Sequence, residues 1–128
     1  MPRKLIKIDE CKHKKTIICV DLNNVESILS YVFQDGVDKE FKEIRGLLKN
    51  SLRNREKYCK ANISDKAKDV FEMRFTRQRN DRIYCKEFHR SKKRIIVMID
   101  LFVGKKSQDI PKKNKNRINT IGGYEYEF

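Results

Sequence analysis

Glycine and proline are scarce in this chain, five and two among 128 residues. No low-complexity stretch and no repeat occurs, so flexible linkers are not expected, and one domain over residues 1–128 is. Apolar runs are short as well. The longest, Ile95 to Val103, is broken by Asp100 and falls far below the ~20 residues of a membrane-spanning helix. Met1 to Lys7 carries basic residues with no apolar stretch behind them. No signal peptide is therefore expected, and the protein is expected to stay in the cytoplasm, away from membranes. The cysteines at 11, 19, 59 and 85 form no Cys-x-x-Cys pair. Cys11 and His13 lie close together, but a zinc finger needs a second ligand pair, so reduced thiols and no metal are expected. Histidine occurs only at 13 and 89, which argues against a mechanism that needs two imidazoles titrating near neutrality. A nucleotide-binding glycine loop and paired carboxylates at useful spacing are missing too, and no cofactor is expected.

Positive charge is what the chain has in excess. Lys and Arg number 31 against 18 Asp and Glu, a net charge of +13 with a pI near 9.7. Residues 1 to 73 hold 16 basic and 12 acidic residues, a net +4. Residues 74 to 117 hold 15 and 4, a net +11, and the last eleven hold two glutamates and no base. A solvated basic face accounts for many such runs. One-sided charge this dense, however, works against folding by self-repulsion, and it points to a polyanion partner, RNA first.

Hydrophobic periodicity predicts an α+β domain. Thr16 to Leu22 is short, apolar and β-branched, a strand, with Leu5 to Ile8 a second before it. Asn23 with Glu26 predicts a helix start, and Val25, Ile28, Leu29, Val32 and Phe33 give it one apolar face up to Asp35-Gly36. A second helix is predicted from Val37 to Arg53, with Val37, Phe41, Ile44, Leu48 and Leu52 as its stripe. Residues 54 to 69 read as a polar connection with a short helical turn. Strands over Val70–Phe75, Arg82–Phe88 and Arg94–Val103 then form an antiparallel three-stranded meander, the last of them central. A C-terminal helix starts near Ser107–Pro111 and ends at Gly122-Gly123. The N-terminal strand, helical hairpin, meander and terminal helix are expected to place all helices on one sheet face.

The meander carries the residues that could do chemistry. Arg74 leaves its first strand, Arg82 opens the second, and Lys105 and Lys106 follow the third. Where antiparallel strands meet, Arg74 and Arg82 can lie side by side; whether the lysines join them depends on register. Guanidinium forks match phosphate oxygens, and lysine adds a point charge. Such a cluster can bind phosphate and stabilise the charge that builds up as it is attacked. Exposed strand-end cations in weak surface pairs are the plainer alternative. Tyr84 could stack on a base, but on an alternating strand it suits the core or a half-buried sheet position better.

The blocks Val70-Phe-Glu-Met-Arg-Phe75, Arg82-Ile-Tyr-Cys85 and Ile96-Val-Met-Ile-Asp-Leu-Phe-Val-Gly-Lys-Lys-Ser-Gln-Asp-Ile-Pro111 resemble the RelE/HigB toxins of bacterial type II toxin–antitoxin pairs. The resemblance covers the last third of the chain closely, and the two helices before it agree in order. It implies a growth-arresting, metal-independent endoribonuclease that cuts messenger RNA, commonly on the ribosome, by attack of a 2′-hydroxyl on the adjacent phosphate. Arg74 and Arg82 would be the phosphate and transition-state cations, and Lys105 or Lys106 a further catalytic cation or proton donor. Arg77, Arg79, Lys112, Lys113 and Arg117, in the segment that holds most of the excess charge, are expected to add RNA contacts. The partners implied are messenger RNA, the ribosome and a cognate antitoxin, expected to be a helix-turn-helix protein. Two departures stand out: Glu72 where some members carry lysine, and Lys112 and Lys113 where they carry an aromatic residue. The general base stays open between Glu72 and His89. A gyrase-poisoning toxin of the ParE branch, or a non-catalytic RNA- or ribosome-binding module, would share much of this pattern.

Overall fold

In the computed structural model, which describes residues 2–61, 64–78, 81–103 and 112–128, two antiparallel strands come first, β1 (Leu5–Cys11) and β2 (Thr16–Asp21). Asp21, not Asn23, caps the next segment. Its carboxylate accepts from the Asn23 amide at 2.8 Å, a 3-10 turn covers Leu22–Asn24, and α1 runs from Val25 to Val32. Gly36 holds φ +89°, a conformation open to glycine, and leads into α2 (Val37–Lys49).

Helix α2 stops four residues before the predicted Arg53. Asn50 donates its side-chain amide to the Gly46 carbonyl, and Ser51 turns left-handed at φ 55°. The amides of Ser51 and Leu52 fold back to the carbonyls of Leu48 and Leu47, a Schellman stop. Leu52 therefore leaves the buried stripe and is 60% exposed.

The segment read as a polar connection holds the expected helical turn, a 3-10 turn at Asp65–Ala67, and also a strand, β3 (Tyr58–Lys60). Strands β4 (Val70–Phe75), β5 (Asp81–Arg90) and β6 (Lys93–Phe102) come next in the chain, and α3 (Lys112–Gly122) comes last. The sheet is six-stranded and mixed, in the order β1-β2-β6-β5-β4-β3, with β2 parallel to β6 and the other neighbours antiparallel.

The α+β class holds, but the helices do not share one face. Helices α1 and α2 cover Ile18, Val20, Met73, Phe75, Ile83, Ile96 and Met98. Helix α3 puts Ile118 and Ile121 on the other side, against Val70, Tyr84, Val97 and Ile99. The reason lies in β5 and β6, whose side chains are buried on both faces and need a layer on each. At the end of α3, Gly122 lies so close to the Lys66 carbonyl that a Cβ would collide with it.

Candidate functional site

Strands β4 and β5 pair so that Arg74 faces Arg82 and Glu72 faces Tyr84. Side chains alternate across a strand, which sets Glu72, Arg74 and Arg82 on the α3 face with Val70 and Tyr84. Glu72 is the hub. Arg82 Nη1 donates to its two carboxylate oxygens at 2.9 and 2.6 Å, and Arg74 Nε donates to Oε2 at 3.1 Å. The side chain of Glu72 is 2% exposed, that of Arg82 9% and that of Arg74 35%. Arg82 is thus a buried, oriented guanidinium, and its Nε has no partner among the described residues. Arg74 is the member of the pair that reaches solvent.

The remaining candidates separate. Lys105, Lys106 and Arg79 lie outside the described residues, as do the side chains of Lys112 and Lys113. Among the described residues Arg77 makes only an exposed 3.3 Å contact with Glu43. Arg117 is committed to Asp100 through a two-pronged fork at 2.6 and 3.0 Å. A bulge between β5 and β6 makes this fork possible: Tyr84 pairs with Asp100 and Cys85 with Met98, so Ile99 is the extra residue. The extra residue turns Asp100 toward α3, as bulges commonly re-aim side chains. Asn24 ties in from the far side, donating to the Ile99 carbonyl at 2.7 Å and to Asp100 at 3.1 Å. Between β6 and α3 a cleft of about 530 Å³ is lined by Asp100, Phe102, Asn116, Arg117 and Thr120. Phe102 pairs directly with Arg82, so this cleft adjoins the arginine pair.

Candidate bases and nucleophiles fare less well. Both Glu72 oxygens accept from guanidinium groups, which makes this carboxylate a clamp. His89 sits seven residues along β5 from Arg82, roughly 23 Å at ~3.3 Å per residue, out of reach. Cys59 faces Glu72 across β3 and β4, and burial pushes its thiol up against the pull of Arg74, so it remains protonated near neutrality. Tyr84 is fully buried, edge-on to Phe102 at 5.0 Å, a core ring.

Arg74 itself lines a different cleft, of about 680 Å³, at which no sequence pattern pointed. It takes Arg53, Arg55, Tyr58, Lys60, Phe71 and Arg94 from the loop after α2 and from three strands. Its sequence signal was the density of cations from Arg53 to Lys60, hidden because no periodicity marks that stretch.

No protein family, curated protein or solved structure matches the chain. Among the described residues, no group of three or more His, Cys, Asp or Glu could hold a metal ion, and no helix is long and apolar enough to cross a membrane.

Proposed function

We propose that the chain is a RelE/HigB-like toxin of a type II toxin–antitoxin pair, an endoribonuclease that cuts messenger RNA on the ribosome without a metal ion. The observation that carries this reading is the cross-strand pair Arg74–Arg82, oriented by one buried carboxylate beside an open cleft. A guanidinium already fixed in direction loses little freedom on meeting a phosphate and stabilises charge as it develops. In the reaction, the 2′-oxygen bonds to phosphorus and the bond to the 5′-oxygen breaks. The 2′-hydroxyl gives up its proton, the departing 5′-oxygen takes one, and a cyclic phosphate remains. Arg74 is the residue for the non-bridging oxygens; Arg82 supports it from below. Lys105 and Lys106 follow Phe102 in the chain and are assigned the remaining charge and the proton delivery.

Glu72 favours a second reading. It offsets one of the two arginines, leaving a net +1 on the trio, which suits RNA binding without cleavage. The two readings part in one experiment: primer extension on messenger RNA from induced cells, with a matched purified reaction with and without EDTA. The toxin reading expects cuts that persist in EDTA and fall ~100-fold or more in Arg74→Ala, while Arg90→Ala, at the far end of β5, cuts like the parent. Cleavage stopped by EDTA would end the metal-free mechanism. No cleavage at all, with RNA still bound, would leave the binding module.

A further inference from the structure

We infer that the cleft between the end of α2 and the β3 edge is a seat for single-stranded RNA, holding the strand next to the phosphate that Arg74 meets. For the nature of the ligand this rests on the proposed endoribonuclease function. Among the described residues, five cations line the cleft, Arg53, Arg55, Lys60, Arg74 and Arg94, and no carboxylate does. Arg74 and Arg94 are oriented from behind, Arg74 by Glu72 and Arg94 by Glu87 through a fork at 3.0 and 2.7 Å. Arg53, Arg55 and Lys60 are exposed and make no ion pair among the described residues. Lys57, in the same loop, is spent on the buried Glu40.

Between the cations stands a flat aromatic stack. Tyr58 and Phe71 lie parallel within 3°, with ring centroids 5.1 Å apart. Tyr58 is held on its inner side, its hydroxyl donating to Glu87 at 2.5 Å and its ring packed against the core under α1 and α2. Phe71 is half-buried and belongs to neither hydrophobic core, and Tyr58 is its one ring partner among the described residues. A nucleobase laid on Phe71 would extend the stack, with Leu47 and Leu52 as apolar walls and the phosphates falling to the unpaired cations. Alternating ring and cation is the chemistry of single-strand binding, since a duplex hides its base faces. An acidic peptide would meet the cations and leave the ring unused.

The test is binding by the full chain of a labelled 2′-O-methyl oligoribonucleotide of about ten nucleotides, within the span such sites cover and unable to be cut. Arg53→Ala/Arg55→Ala should lose about tenfold in affinity, and the salt slope should flatten by about 0.7 for each cation removed. Phe71→Leu should lose about tenfold, and Phe71→Tyr, which keeps a ring, should bind like the parent. The same sequence as a duplex should not sense Phe71→Leu. If only the charge variants weaken binding, the cleft is an electrostatic surface and the base seat is wrong. If polyglutamate competes with the RNA and Phe71→Leu weakens neither ligand, the seat belongs to an acidic protein partner. Cleavage is scored apart on unmodified message, so binding as expected without any cut would overturn the toxin reading and leave this seat standing.

Discussion

Arg82 and Arg74 face one another in register, yet their substitution should affect stability very differently. Arg82 and Glu72 form an ion pair with side chains 9% and 2% exposed. Removing the arginine leaves a buried carboxylate with a single bond from Arg74, a loss of about 3–5 kcal/mol. Arg82→Ala should therefore lower the thermal midpoint by about 10 °C or more, and lost activity in that variant would partly report lost fold. Glu72→Gln/Arg82→Met, which removes both charges, should recover most of the midpoint. Arg74 is 35% exposed with one bond of 3.1 Å, so Arg74→Ala should cost under about 1 kcal/mol. A thermal melt of the three variants decides the matter: equal midpoints for Arg74→Ala and Arg82→Ala would refute the division of labour between clamp and phosphate ligand.

Two elements carry backbone features with measurable consequences. Strands β5 and β6 join through the two-residue turn Ser91–Lys92, with φ of 53° and 64°. Both positions are left-handed, the geometry for which Asn-Gly is the favoured pair, and ordinary side chains there are strained. Ser91→Asn/Lys92→Gly should stabilise the fold by about 1 kcal/mol in urea unfolding; a loss would mean the turn is held by something other than its backbone. Gly122 ends α3 against the Lys66 carbonyl. Gly122→Ala has no room for its methyl and should destabilise by about 1–3 kcal/mol, measured in the same way. An unchanged midpoint would show that α3 does not dock on the 3-10 turn.

The whole molecule gathers charge that the sequence keeps apart. Parallel pairing of β2 with β6 sets Thr16 beside Arg94, and the Arg94 amide donates to the Lys15 carbonyl at 2.9 Å. The β1–β2 turn, with Lys12, Lys14 and Lys15, thus lies at the same end of the sheet as Lys92 and Lys93, all exposed. That end is remote from Arg74 and Arg82, and under the proposed function it is the part expected to meet the backbone of ribosomal RNA. Neutralising Lys12, Lys14, Lys92 and Lys93 to serine should weaken ribosome association and flatten its salt dependence. Thermal stability should hold or rise, because like charges are relieved. Ribosome sedimentation at two salt concentrations reads the effect; an unaltered profile would remove this end from the interface.

The alternating and helical patterns in the sequence determined where β2, β4, β5, β6, α1 and α2 form, because burying one face of a strand or helix imposes a period of 2 or 3.6. They placed Arg74 near Arg82 as well, since a short turn leaves antiparallel strands few ways to align. Local pattern did not reveal that Ser51 ends α2 before Leu52, because a Schellman stop competes with the stripe and its outcome rests on backbone bonds. Strand β3 was hidden for a related reason: three residues on a sheet edge are set by their partner β4, not by any period of their own. Nor did composition tell paired cations from free ones. Arg82 and Arg117 are matched to Glu72 and Asp100, residues 10 and 17 positions away, while Arg53, Arg55 and Lys60 stay open to solvent. Net charge is a sum over the chain, whereas the field a phosphate meets depends on which charges fold next to their opposites, and only the tertiary structure decides that.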